Sequence, residues 1–239
     1  MVSQAKVLRR RTLGGPVRKT FRYRGKRGFS LIEVILAITV GLILTAIAIP
    51  KVNTLTRIYR SSGDARSLSE EVSMAKMRSA ADFTEARVFA DLSTNRYRVE
   101  TWIVPPGGSS KCWVTEGDTL CSSSYSSPNV PPSTLLLTTV TFGYGSLSSP
   151  PANTQSTLGQ AAACQSDSDT QSLSAGSVAN SACIVFNSRG IPVDNTLAPT
   201  SSDALYVTDG NSVFGVTVLA TGLIQTWRAD SSAPTFVNR

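Results

Sequence analysis

The chain has 239 residues, with 23 Lys and Arg against 16 Asp and Glu, four cysteines and no histidine. Without histidine the usual general base is missing, and with it the Ser/His/Asp and Cys/His nucleophile arrangements and most zinc sites. The formal charge of +7 is no argument for nucleic acid: ten basic residues (Lys6, Arg9, Arg10, Arg11, Arg18, Lys19, Arg22, Arg24, Lys26, Arg27) and no acid precede Phe29, which leaves 13 basic and 16 acidic residues, a net of −3, for the remainder.

Directly after that basic stretch, residues 29–50 read FSLIEVILAITVGLILTAIAIP, apolar apart from Glu33 and a few hydroxyls. At about 1.5 Å per helical residue this spans roughly 33 Å, enough for a hydrocarbon core of about 30 Å. Basic residues on its N-terminal side hold that end in the cytoplasm and send the remainder across. An ordinary secretory signal is cut after its apolar stretch at small residues, and no such site fits well here. Glu33 is costly in hydrocarbon, by about 2.5 kcal/mol or more, so it calls for a cationic partner or for a place near the interface to which it can snorkel. Gly41 and Pro50 are soft points in the helix.

From Lys51 to about Ala80, apolar or small residues recur at Val52, Leu55, Tyr59, Leu68, Val72, Ala75 and Ser79, which predicts that the helix continues and packs on a head. Residues 86–92 and 96–104 are β-rich runs joined by Ser93-Thr94-Asn95, a hairpin. Residues 105–182 are dominated by Ser, Thr, Pro, Gly, Ala and Asn, and read mostly as surface loop with strand pieces such as Leu135 to Phe142. Strand patterns return at 183–192, 204–208, 212–219 and 223–228, with Asp209-Gly210 and Thr221-Gly222 as turn signals, which predicts an antiparallel meander.

Four cysteines, Cys112, Cys121, Cys164 and Cys183, all follow the apolar segment, on the side where disulfides form. Pairing in sequence order, Cys112 with Cys121 and Cys164 with Cys183, is the simplest of three connectivities. Asp167 and Asp169 make an isolated acidic pair that reads as solvated charge, and no serine lies in a G-x-S-x-G context.

Lys26-Arg27-Gly28-Phe29-Ser30-Leu31-Ile32-Glu33-Val34, placed before the apolar stretch, resembles the class III signal of type IV pilins and pseudopilins. The resemblance implies that a prepilin peptidase cuts after Gly28 and methylates Phe29 as the new N-terminus. It makes Glu33 the family's acid at the fifth mature position, meeting the N-terminal amine of a neighbouring subunit or of its own chain, and Pro50 the family's helix-kinking proline. The order of elements, with Phe186-x-x-x-Gly190 and a close near Thr221-Gly222-x-Ile224-x-x-Trp227-Arg228, resembles the GspH/FimT family of minor pseudopilins and minor pilins. This chain departs from that family in its long leader, which leaves the start codon open, and in its long Ser/Thr-rich middle.

The fold implied is α+β and pilin-like, a long N-terminal helix with a membrane-embedded first half packed on an antiparallel β-sheet head. Its parts are a cleaved leader over 1–28, an assembly helix over 29–50, the periplasmic half of the helix over 51–82, and a head over 83–239 with an insertion at about 105–182. The function implied is a non-catalytic subunit of a type II secretion pseudopilus, with no cofactor and no metal; the alternative is a minor pilin of a type IV pilus. Its partners are other pilins or pseudopilins, the peptidase, an inner-membrane assembly platform, and lipid before assembly. DNA is not expected among them. A DNA-capturing relative carries a Gly-Arg-x-Arg-like tail, whereas here Leu223 follows Gly222, and only Trp227, Arg228 and Arg239 offer stacking or charge, beside Asp230.

Overall fold

The computed structural model describes residues 29–124, 130–166, 176–230 and 233–238. They belong to two compact units that divide between Ala48 and Ile49. The described part of the first unit is the opening stretch of helix α1 (Leu31–Ala81). The Ser30 carbonyl accepts the Glu33 and Val34 amides at 3.0 and 3.2 Å, which makes Ser30 the N-cap. Large apolar side chains from Phe29 to Ile49 are 46–79% exposed. A helix stretch that is apolar all round and exposed among the described residues finds its cover in lipid or in other helices. Thr45 turns its hydroxyl back onto the Leu42 carbonyl at 2.9 Å, and Thr39 does the same to Ile35, so neither presents a bare polar group.

Within the second unit, α1 buries a seam of Ser61, Ala65, Leu68, Val72, Ala75 and Ser79, alternating four and three residues apart on one face. The expected stripe began earlier, at Val52, Leu55 and Tyr59, but these three stand 54–75% exposed. The packed face starts where the head first meets the helix: Ser61 Oγ donates to Asp209 Oδ2 at 3.0 Å, and Asp64 Oδ2 accepts the Leu137 amide at 3.0 Å. The helix closes with the Asp82 amide on the Arg78 carbonyl, the Thr84 amide on the Ser79 carbonyl, and Phe83 at φ 51 between them. That is a Schellman closure with phenylalanine where glycine normally sits.

Among the described residues eleven strands follow: β1 (Ala86–Asp91), β2 (Arg96–Ile103), β3 (Cys112–Thr115), β4 (Thr134–Leu135), β5 (Thr141–Phe142), β6 (Ser181–Phe186), β7 (Pro192–Val193), β8 (Asp203–Thr208), β9 (Ser212–Val218), β10 (Ile224–Asp230) and β11 (Ala233–Asn238). They make the expected antiparallel β-sheet head out of two sheets. One has the order β3-β2-β1-β6-β7 with β4 also on β2; the other runs β11-β10-β9-β8-β5. All pairings between these strands are antiparallel.

The 86–104 hairpin stands as expected, with Ala86 opposite Thr101 and Asp91 opposite Arg96. The Cys183 run does not join the meander; it is β6, paired with β1 on one side and β7 on the other. The meander proper is β8-β9-β10-β11, turning through Gly210 (φ 86) and Gly222 (φ 75). β11 lay outside the sequence expectation because its run is short and opens on Ala233-Pro234; a proline there is tolerated because the strand is an edge.

The inner faces of both sheets close on the helix seam. Leu68 and Val72 share one core with Val88, Val99, Ile184, Phe186, Leu205, Val207, Val216 and Val218. Residues 105–182, expected mostly as surface loop, do more. Trp113, Val114, Leu136, Val140, Leu147, Ala161 and Cys164 are 1–7% exposed. β1, β6, β8 and β9 are buried along nearly their whole length, on both faces. A sheet whose two faces are both apolar needs a second cover, and the middle segment supplies it with scattered small and apolar residues rather than with a periodic pattern.

Candidate functional site

The N-terminal motif is placed in part. Gly28 and the leader lie outside the described residues; Phe29 is 78% exposed, and Glu33 is exposed in the first turn of α1. Ser30-x-x-Glu33 has the spacing of a capping box, with Phe29 and Val34 at the positions of a hydrophobic staple. Sequence reasoning assigned Glu33 to assembly and passed over this local reading, whose signal is an S-x-x-E just before an apolar run. An acid there gains about 0.3–1 kcal/mol from the helix dipole. That is less than the roughly 2.5 kcal/mol or more that a carboxylate costs when drawn into hydrocarbon. α1 continues through Gly41 and Pro50.

The residues considered for nucleic acid lie on β10, an interior strand flanked by β9 and β11. Trp227 Nε1 donates to Thr217 Oγ1 at 2.8 Å. Arg228 donates through Nη2 and Nε to Asp230 Oδ1 at 2.8 and 3.1 Å and lies 5.8 Å from the Phe214 ring centroid. A guanidinium with two of its nitrogens already donating to one carboxylate oxygen has less left for a phosphate. Arg239, like Asp167 and Asp169, lies outside the described residues. The cysteines meet in sequence order. Cys112 bonds Cys121 and Cys164 bonds Cys183, with Cα separations of 5.6 and 4.9 Å. The second bond ties the middle segment to β6.

On the outer face of the first sheet, Glu100 is fully buried and accepts Arg87 Nε at 2.6 Å, Arg98 Nε at 2.7 Å and Ser122 Oγ at 2.5 Å. Burial pushes its carboxyl up, but the two guanidiniums and the hydroxyl prevail and hold it below the ordinary range. Arg87 also donates to the Gln165 carbonyl at 2.8 Å and lies 4.0 Å from the Trp113 ring centroid; Arg98 lies 3.9 Å from that of Phe89. The cluster joins β1, β2 and residue 165, and its polar groups serve one another. It has the character of a structural knot rather than of a reaction centre.

Beside it is a cleft of about 350 Å³, walled by Trp113, Val185, Val193 and Leu197 and reached by Asp194 and Asp203. Asp203 opens β8 and is 8% exposed. Burial first, and the nearby Asp194 carboxylate second, push its carboxyl up to about 7. Sequence reasoning passed over Asp203; its signal is an acid at the first position of an otherwise apolar strand. Among the described residues no group of three or more His, Cys, Asp or Glu is placed to hold a metal ion.

Residues 23–49 match the prokaryotic N-terminal methylation motif. No curated protein is significantly similar to the chain. Among solved structures, the minor pseudopilin EpsH from the type 2 secretion system of Vibrio cholerae aligns over 75% of this chain and 96% of its own. That alignment has 12% identity and a TM-score of 0.30, too low to carry an argument about fold or function.

Proposed function

We propose that this chain, type IV pilin-like in its methylation motif and in its long helix with antiparallel sheets, is a non-catalytic minor pseudopilin. In this reading it is anchored in the inner membrane by α1 and assembles into the pseudopilus of a type II secretion system. The observation that carries the reading is the methylation motif running into an apolar helix whose side chains stand exposed among the described residues. Such a helix is long and apolar enough to cross a membrane. Lys26 and Arg27 before it hold the N-terminus in the cytoplasm and put the head, with its two disulfides, in the oxidising periplasm.

Cleavage after Gly28 frees the amine of Phe29, one helical turn from Glu33. In lipid the carboxylate is expensive; against the amine of a neighbouring subunit it is paired. Packing of residues 29–50 against the same segments of other subunits supplies the affinity, and that ion pair sets the register. The peptidase and the inner-membrane platform act on the chain before it enters the filament. The second reading, a minor pilin of a type IV pilus, uses the same motif and the same helix. Its DNA-binding form is disfavoured by Arg228, which Asp230 already holds.

The experiment is a chromosomal deletion complemented with wild type or with Glu33→Leu. The secretion reading expects loss of secreted protein with surface pili retained, and no rescue by Glu33→Leu. Loss of pili with secretion intact favours the pilus reading; no change in either sinks both.

A further inference from the structure

Asp203 is nine-tenths buried, yet its Oδ2 has no hydrogen-bond partner among the described residues. A buried carboxylate left so is costly and is normally paired or protonated. The cleft it lines, about 350 Å³, falls within the roughly 300–1,000 Å³ of ligand sites, and its other walls include the apolar side chains of Trp113, Val185, Val193 and Leu197. The charged or titratable groups lining it are Glu85, Arg87, Asp194 and Asp203. Arg87 is engaged by Glu100, by the Gln165 carbonyl and by the face of Trp113. Asp194, half-buried, accepts the Thr196 and Ala198 amides at 2.8 and 3.0 Å.

Three carboxylates thus line a pocket with apolar walls, and the most buried of them has an oxygen without a partner among the described residues. An anion is repelled. An apolar guest leaves Oδ2 bare. A divalent cation of the calcium kind wants six to eight oxygens, several of them carboxylate, and among the described residues no three His, Cys, Asp or Glu come together to hold one. A basic side chain meets every requirement, because its aliphatic stem covers apolar wall while its cationic head reaches the carboxylate.

We propose that this cleft is a recognition pocket for a lysine or arginine side chain of a partner protein, its stem lying along Val185 and Leu197 and its cationic head on Asp203. The inference concerns the head alone and does not rest on the filament reading. The pocket binds best where Asp203 is ionised, so binding weakens on acidification from pH 8 to pH 5.

The test titrates the full chain in detergent micelles with Nα-acetyl-lysine amide, Nα-acetyl-arginine amide and the neutral Nα-acetyl-norleucine amide, read by calorimetry and tryptophan fluorescence. The expected result is saturable binding of a cationic amide, at least tenfold weaker binding of the norleucine amide, and at least a tenfold loss in Asp203→Asn. Ser156→Trp, which fills the mouth of the cleft from an exposed position, loses binding equally and keeps the assay informative should Asp203→Asn fold poorly. Equal binding of the norleucine amide, unchanged binding in either variant, or no saturable response to either cationic amide overturns the proposal. So does Asp203-dependent binding of calcium without a response to the amides.

Discussion

Replacing Asp203 by Asn removes a charge that the fold opposes. The carboxyl lies at the start of β8, 8% exposed, and burial together with Asp194 lifts it from 3.8 to about 7. A folded-state value above the unfolded one means that the protonated acid is the form the fold favours. Its contribution is fully present below about pH 3.8 and is lost as the pH rises through about 7. At about 1.4 kcal/mol per unit, ionising Asp203 costs the head up to about 4 kcal/mol at pH 8. Asparagine keeps the shape and cannot ionise. Asp203→Asn therefore matches wild type near pH 4 and exceeds it at pH 8, by up to about 4 kcal/mol, or by about 8 °C or more in Tm for a head of this size. Asp64, Glu71, Asp91 and Glu100 are also shifted, but they titrate alike in both proteins and cancel in the difference. Urea unfolding of the full chain in mild detergent, followed by tryptophan fluorescence between pH 4 and pH 9, measures that difference. A gap that does not change with pH, or a variant less stable than wild type at pH 8, refutes the reasoning, because either means that Oδ2 is already satisfied.

Glu100→Gln leaves Arg87, 3% exposed, without its counter-charge and costs about 3–5 kcal/mol at pH 7 by denaturant titration. Because the Glu100 carboxyl is held below 4.5 in the fold, its contribution is present above about pH 4.5 and lost as the pH falls below it, so the variant loses less stability on acidification than wild type. Phe83→Gly relieves a left-handed residue that is 84% exposed, with an expected gain of up to about 1 kcal/mol and a rise of roughly 2–4 °C in the calorimetric midpoint. A fall instead assigns stability to the contacts of the ring. Changing both Cys164 and Cys183 to Ser opens a loop with a sequence separation of 19 and costs about 3 kcal/mol; opening Cys112–Cys121, with a separation of 9, costs slightly less, about 2.5 kcal/mol, both by urea midpoints.

Elements with a local period were legible in the sequence. The apolar run of α1, the 86–104 hairpin and the Gly210 and Gly222 turns each carry their signal within a few residues. The place of β6 was not, because its partner β1 is some ninety residues away and an apolar run of six does not name the sheet it joins. The cover formed by residues 105–182 was hidden for a related reason: single residues such as Leu147 and Cys164 bury without repeating. The start of the packed seam at Ser61 depends on where Asp209 and Leu137 come to lie, which the helix alone does not encode.

The candidate sites divide in the same way. Phe29 and Glu33 stand in a linear motif and are read directly. Asp203 looks ordinary in sequence and becomes unusual only when burial removes its partners. Arg228 looks available until Asp230 is seen to hold it.

The central claim is that the bond after Gly28 is cut and the new N-terminus methylated, and mass spectrometry of the protein extracted from membranes of a host with active prepilin peptidase tests it most directly. The account predicts a chain that begins at Phe29 and carries one methyl group on its α-amine. A chain that keeps residues 1–28, or one cut after the apolar stretch, contradicts it.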